Sequence, residues 1–492
     1  MPLPEPNSKW PPPPFDEVGL KLNEWAAWYS GDPQYLVSVY NGGGAPVATR
    51  YQLYGGLVGW VARLFWGTPL AKGTTNTSKL HVPLAEEIAA EGAKQLFKNP
   101  PAITAPQSTV HQDAINAFIE NGLFTTMLEA GELGSALGDV YIRVGYDLEL
   151  SDQPLLTVHP SDLVIPSFYY NRLQSATIWR ELKNDAGRVF RHIEVHEPQW
   201  IYHRLFEGTH TDLGKNIPLS TLPETAVLKE SEPTGINELD IIHFPNLRTR
   251  LWRKLGQASN LGRSDFGSPG ITTLMDALDE TYTSLMRDIR LGKYRLLTSQ
   301  QYLHSDGRGQ GASFDIDQEV FVGLNVMADK GSLQIVPAQG DIRVEKLVAA
   351  GLALTEKIIS GCGYSAQTFG LTGDVAMTAT ESNARERMTF DTRDIKIGTY
   401  KPRLGDLIRV MLKTMVVMGK GDIPPDDISV DFPLPVEEDE KQVAETIKLL
   451  HDANAISLYE MIKMRKPDWD DQRIDQEIKR IGESVVRSLD TP

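Results

Sequence analysis

Thr378-Ala379-Thr380-Glu381 stands between a glycine-rich loop and the longest helix-forming run in the chain. Thr378 suits an N-cap position, and Glu381, three residues on, reaches back toward the cap's own backbone N–H. Together they satisfy orphan donors from both directions and set where a helix begins. The helical pattern then runs to about Met418, roughly 60 Å at about 1.5 Å per residue. Gly398 and Pro402 lie inside it and predict a kink. Leu404, Leu407, Ile408, Met411, Leu412 and Met415 give its second half an apolar face, and Gly419 ends it. Upstream, Gly361, Gly363, Gly370 and Gly373 bracket an aperiodic loop of roughly 15–18 residues. A loop of that length marks function or disorder, and helices on both sides favour function.

Working outward, Val344, Leu347, Val348, Leu352 and Thr355 predict a helix at about 341–360. Before it come short strands at 294–297, 319–322 and 333–336, with a glycine-rich tip, Gly307-Arg308-Gly309-Gln310-Gly311. Another helix precedes them, carrying Leu274, Leu278, Tyr282, Leu285 and Ile289, with Ser268 as N-cap and Pro269 as first position. A small β module is thus inserted between two helices, as a tip on a stalk. From 140 to 244 the period is two: Val140, Ile142, Val144 and Tyr146 alternate, as do 178–182, 190–196 and 200–206. This predicts an antiparallel meander. Helices are expected at 88–97 and as one piece from about 112 to 137. Trp25, Trp28 and Tyr29 form an aromatic cluster, and Pro11 to Pro14 make the first fifteen residues an extended, polyproline-like arm. At the other end, a strand near 428–432 leads to a helical set with a second capping box, Ser457 and Glu460, and an Ile474, Ile478, Ile481, Val485 stripe. The fold class is α+β.

At 492 residues the chain exceeds one ordinary core, and 41% hydrophobic with 23% charged residues supports folded structure throughout. The formal charge, 49 − 65 = −16, excludes a basic nucleic-acid-gripping surface as the dominant feature, though not a protein past which a polyanion slides. One cysteine, Cys362, rules out an intrachain disulfide framework and fits a reducing compartment. No stretch approaches 18 consecutive apolar residues, so no membrane span is expected. The proline-rich start has no secretory-signal pattern.

The motifs that suggest chemistry do not hold together. His192-Ile193-Glu194-Val195-His196 has the wrong order for a zinc-protease helix and alternates like a strand. Gly256 to Ser264 has five residues between its glycines and Arg263 where a phosphate-binding lysine belongs. Glu437-Glu438-Asp439-Glu440 suits the first turn of a helix better than a metal site. Cys362 has no companion histidine or cysteine nearby and reads as a packed residue. Trp25, Trp28, Trp179 and Trp200 read as core or interface rather than a sugar cleft. No catalytic residue, metal or cofactor is expected.

The order of parts resembles the portal (head-to-tail connector) proteins of tailed bacteriophages, in particular those of actinobacteriophages. Trp25-x-x-Trp28-Tyr29-x-Gly31-Asp32-Pro33 is similar to that family's opening segment, and His159-Pro160-Ser161-Asp162 with Val164-Ile165-Pro166 to its wing. Ile242-His243-Phe244-Pro245-Asn246 and Gly262-Arg263-Ser264-Asp265-Phe266 resemble the lead into its first stem helix. Phe369-Gly370-Leu371 and Thr378-Ala379-Thr380-Glu381 stand where such proteins place a tunnel loop and then a long kinked helix. The acidic strand exit and Ala455-Ile456-Ser457 resemble the crown.

The resemblance implies an elongated subunit with a β wing and N-terminal arm (1–265), stem helices (266–293 and 341–361) and a β clip between them (294–340). A tunnel loop (362–378), a long kinked helix (379–419), a wing strand (420–436) and a crown (437–492) follow. It implies a homo-oligomeric ring of twelve at one capsid vertex of the virion, assembled in the host cytoplasm, through which double-stranded DNA is packaged and ejected. Large terminase, head-tail adaptors, and major capsid and scaffold proteins are the implied partners. Phe369, Leu371, Asp374, Val375 and Met377 are the candidate channel residues, Thr378 and Glu381 the cap behind them, and Gly307 to Gly311 the motor or adaptor contact. The apolar loop residues have a second reading, as anchors of the loop to its own subunit. Rival classes are a cytosolic carbohydrate-active enzyme with paired acidic residues, and a monomeric scaffold or adaptor.

Overall fold

Hydrophobic periodicity in this chain resolves into helices and mainly antiparallel sheets that share their cores. The computed structural model describes residues 3–40, 79–105, 108–185, 187–291, 295–299, 322–324, 336–338, 343–371, 379–424, 428–434, 447–453, 455–465 and 473–480. The chain divides into two units, 1–373 with 386–433, and 374–385 with 434–492. In the first, α1 (Phe15–Ser30), α2 (Pro33–Tyr40), α3 (Leu84–Phe97), β1 (Ala102–Thr104), α4 (Thr109–Glu120) and α5 (Leu123–Leu137) come first. Strands β2 (Asp139–Gly145), β3 (Leu155–Pro160), β4 (Val164–Tyr169), β5 (Arg172–Asp185), β6 (Arg188–Glu197), β7 (Trp200–Gly208) and β8 (Lys215–Ile217) follow. Next are β9 (Ser231–Pro233), β10 (Ile241–Pro245), β11 (Leu247–Arg248) and β12 (Gly262–Arg263). Helices α6 (Ile271–Leu291) and α7 (Val344–Gly361) enclose β13 (Arg295–Ser299), β14 (Val322–Leu324) and β15 (Val336–Ala338). The long helix α8 (Ala379–Val417), whose residues 379–385 are counted with the second unit, and β16 (Ser429–Asp431) complete the series. The second unit has helices at 447–452, Leu458–Arg465 and 473–480.

The meander is present as the antiparallel order β4-β5-β6-β7-β8, with β9 on β7. A second antiparallel sheet, β10-β2-β3, lies between layers. There Val140, Tyr141 and Ile142 are all fully buried, so both faces of β2 are covered and its alternation does not mark a wet side. Tyr146 lies past the strand end, exposed. Among the described residues of the insert, three strands form a sheet, β14 parallel and β15 antiparallel to β13.

One core gathers Trp25, Trp28, Ile88, Phe206, Phe266 and Ile358. The other gathers Phe97, Ile115, Met127, Val140 and Phe244 around the apolar face of α8: Tyr400, Leu404, Leu407, Ile408 and Met411. That face is the one the sequence pattern predicts. Pro402 sits inside α8, and Gly398, whose carbonyl loses its helical partner there, is exposed to water. In the second unit, Ser457 Oγ accepts from Glu460 N at 3.2 Å, the forward half of the expected capping box.

Two expectations are corrected, and the N-terminal arm, whose order the sequence left open, is docked. The helix expected from 112 to 137 is two, because Asn121 and Gly122 break it and Gly122 takes φ +90°, a left-handed conformation suited to glycine. The helix expected to start at Ser268-Pro269 starts at Ile271 instead. Gly270, at φ +88°, lies in a turn in which Ile271 N donates to Ser268 O, so that serine opens a turn rather than capping the helix. The arm is not free: Asn7 N donates to Gly214 O, Trp10 N to Thr211 O, and Leu213 N to Ser8 O. Trp10 is 3% exposed and meets Trp179 edge-on at 6.0 Å. An indole this apolar gains more by burial against the sheet than the proline-rich chain loses by docking.

Trp10→Ala is expected to cost about 3–5 kcal/mol of unfolding free energy. Hydrogen exchange should accelerate first at the amides of Asn7, Trp10 and Leu213, and protection unchanged at those three would refute this account of the arm.

Candidate functional site

Residues 361–371 carry the chain out of α7, and the geometry there is set by threonines on α8. Gly363 has φ +90°, and a Cβ on it would lie 2.6 Å from Thr392 Oγ1. The Thr392 hydroxyl donates to Gly363 O at 2.5 Å. One turn earlier, Thr389 Oγ1 accepts from Ser365 N at 2.9 Å and meets Thr368 Oγ1 at 2.8 Å. Spacing of three along α8 places both threonines on one face.

One turn further on the same face is Lys396, 1% exposed, facing Asp265, 0% exposed. Its ammonium donates to Asp265 Oδ2 (2.7 Å), Ser135 Oγ (2.9 Å) and Tyr364 Oη (3.1 Å). Asp265 also accepts from Tyr364 Oη at 2.7 Å and from Asn246 Nδ2 at 2.8 Å. Gly92 of α3 closes the chamber, since a Cβ there would come within 2.6 Å of Ser135 Oγ and 2.7 Å of Asp265 Oδ2. Burial pulls the Lys396 ammonium below the usual lysine range, and the Asp265 carboxylate opposes that pull. Burial, reinforced by Asp265, pushes the Tyr364 phenol well above its ordinary value. Cys362 is buried too, its thiol pushed up mainly by burial, which makes it an inert packed residue rather than a nucleophile.

Phe369 ends a short 3-10 turn (Ala366–Phe369), half-buried against the first core and edge-on to Tyr364 at 6.1 Å. Leu371 packs against the same core. Glu381 falls in the first turn of α8, which begins immediately after Thr378. Thr378, Asp374, Val375 and Met377 lie outside the described residues, as do Gly307, Arg308, Gly309, Gln310 and Gly311.

Helices α6 and α7 pack closely where Gly351 leaves room for the Tyr282 ring, and Arg343 bonds Asp288 Oδ2 through Nε (3.0 Å) and Nη2 (2.9 Å). Met286 and Ile289 on α6, Val344 and Leu352 on α7, and Met388 and Ile395 on α8 are exposed. These six side chains are apolar surface that the subunit itself does not cover.

His192-x-x-x-His196 lies on β6, as its alternation predicts. His192 stacks on His203 at 5.3 Å, and burial pulls its imidazole down to about 4. His196 is held between carboxylates, Nδ1 to Asp240 and Nε2 to Glu194, each 2.9 Å, and Arg143 reaches Glu194 at 2.6 Å. Burial alone would lower the His196 pKa, but Asp240 and Glu194 more than offset it and hold it at about 9. Among the described residues no His, Cys, Asp and Glu cluster is arranged to hold a metal ion, and no helix is long and apolar enough to cross a membrane.

Sequence reasoning missed both buried networks. Lys396 and Asp265 are 131 residues apart, and His196 and Asp240 are 44 apart. One signal was present: Lys396 continues the stripe of Tyr400, Leu404 and Leu407, so a lysine stood on the buried face of α8.

The family described as phage portal protein, SPP1 Gp6-like, matches residues 67–484. No curated protein matches the chain. Among solved structures, the chain is similar to a chain from the virion of a native gene transfer agent particle, at 11% identity and a TM-score of 0.38, over 83% of this chain and 99% of that one.

Lys396→Met is expected to destabilise the protein by about 3–5 kcal/mol, because it leaves a buried carboxylate unpaired. The double variant Lys396→Met, Asp265→Asn should recover much of that loss in urea unfolding; no recovery would show that the pair acts through packing alone. A second expectation concerns pH. The His196 pKa is about 9 when folded against 6.5 as the unperturbed value, so its contribution, on the order of 3 kcal/mol, is complete below pH 6.5 and is lost as pH rises through 9. The difference in unfolding free energy between the parent and His196→Gln should therefore shrink between pH 6.5 and 9.5; a constant difference would refute the assignment.

Proposed function

The chain belongs to the SPP1 Gp6-like phage portal protein family, and on that premise we propose that it forms a closed ring of twelve at one capsid vertex and conducts DNA. The family is structural rather than enzymatic. The observation that carries the reading is the family match across 67–484, a span that includes the paired helices, their β insert, the loop and α8. In this reading α6 and α7 are the stem, 294–340 is the clip that meets terminase and later the head-tail adaptor, and 437–492 is the crown. Major capsid and scaffold proteins are its partners during assembly in the host cytoplasm, and the ring stays at the portal vertex of the virion.

The uncovered apolar side chains on α6, α7 and α8 support contact between copies, since a repeated heterologous interface closes into a ring at the right rotation. Charge supports a conduit: twelve chains at −16 total −192, a wall that does not hold a polyanion tightly. The base of the loop is tied down by Thr389, Thr392 and the core contacts of Phe369 and Leu371. We therefore assign those two residues the anchoring role and leave Asp374, Val375 and Met377 as the residues that meet DNA. Thr378 and Glu381 cap the helix behind them.

The ring is tested by mass. The purified chain should run at about 656 kDa (12 × 54.7 kDa), with a central channel in negative-stain images; only 54.7 kDa monomers across several salt concentrations would refute it. The loop is tested in particles: Met377→Asp should lower DNA packaging or genome retention while leaving ring mass unchanged, and parent-level packaging would remove the tunnel role.

A further inference from the structure

From Ile241 to Ser264 the chain contains no aspartate or glutamate and five lysines and arginines, in a protein with sixteen more acidic than basic residues. Four of the five, Arg248, Arg250, Arg253 and Lys254, fall within seven positions and are exposed. They belong to the hairpin that β11 and β12 form by pairing Leu247 with Arg263 and Arg248 with Gly262. Elsewhere arginines pair within the subunit, Arg143 with Glu194, Arg191 with Glu181, Arg343 with Asp288 and Arg409 with Asp406. Among the described residues no carboxylate lies within ion-pair distance of any of these four.

Four like charges without an ion-pair partner among the described residues repel one another, and a slack loop would spread them. This loop is built not to. Trp252, 3% exposed, donates from its indole N–H to Gly262 O at 2.8 Å and meets Trp25 edge-on at 5.9 Å. Arg253 Nη1 donates to Arg250 O at 3.2 Å, and Leu255 N to Trp252 O at 2.8 Å. Gln257 Oε1 accepts from Phe168 N of β4 at 2.8 Å, tying the loop to the six-stranded sheet. The charges are thus displayed on a fixed support at the cost of mutual repulsion.

We propose that the 248–254 loop is a binding site for the phosphodiester backbone of nucleic acid. Three of its four cations are arginines, whose planar forks match phosphate oxygens bidentately. A cluster with no counter-carboxylate releases counter-ions from a polyanion instead of exchanging one internal pair for another. A single acidic side chain on a protein partner would satisfy one of these charges, whereas a run of phosphates satisfies all four. The inference rests on the charge and geometry of one subunit, and it holds whether or not the chain forms a ring.

The test measures binding of the full chain to a fluorescent 20-base-pair duplex, and to one strand of it, by anisotropy between 50 and 200 mM salt. Four phosphate contacts predict a slope of about −3.6 for log affinity against log salt on the duplex, about a hundredfold loss across that range. Arg250→Ala with Lys254→Ala should make the slope shallower by about 2. Lys21→Ala with Lys94→Ala, on α1 and α3, should leave it unchanged. A single strand bound with a shallower slope than the duplex supports the backbone as the ligand, since its charge density is lower. Absence of salt-dependent binding at 50 mM, or an unchanged slope in the loop variant, would overturn the proposal. Polyglutamate bound as tightly as the duplex would also overturn it and assign the loop to an acidic protein.

Discussion

The buried ion pair between Lys396 and Asp265 is the constraint on which the rest of the first unit depends. Two charges removed from water cost several kcal/mol each, and their attraction repays that cost only when the remaining donors and acceptors are also satisfied. Here they are: Ser135, Tyr364 and Asn246 complete the shell, and Gly92 gives it room. Segments far apart in sequence must therefore arrive together: α3, the end of α5, the 246 and 265 turns, Tyr364 in the turn beyond α7, and α8. The pair is a poor source of net stability, since apolar residues of the same shape can do as well. What it provides is register, because a shift of α8 by one residue would leave both charges unsatisfied.

That register also fixes the loop that follows α7. Thr389, Thr392 and Lys396 are successive turns of one face, so the same helix that seals the ion pair also holds the base of the loop after α7. The face that continues beyond them, Tyr400 through Met411, is core. Met388 and Ile395 lie on the other side of the helix, exposed. One helix thus anchors a loop, closes a core and presents apolar surface.

Charge is organised on two scales. Inside the sheet, His196 is clamped by Glu194 and Asp240, and Arg143 offsets the excess carboxylate, so buried acids are neutralised pair by pair. Across the whole chain the balance is −16 and unneutralised. Screening confines the field of exposed charges to about 10 Å at moderate salt, so acidic surface elsewhere on the chain does not cancel a basic hairpin at its own surface. The proposed conduit and the proposed basic loop are therefore compatible in one subunit.

Periodicity determined a great deal without help. The meander from β5 to β7, the paired helices around a β insert, and the apolar face of α8 are all legible, because each depends on which face of one element turns away from water. The order of those parts was sufficient to indicate the portal family before any contact was known. Tertiary structure alone decided the rest. Whether β2 has one wet face or none depends on what packs over it. Whether a proline-rich arm floats or docks depends on a groove for Trp10 made by strands some 170 residues later. Most of all, a lysine inside a helical stripe and an aspartate 131 residues before it show no pattern in common. Local propensity encodes direction and burial, but a buried charge is tolerated only where a distant partner completes it, and that distance closes only in the folded chain.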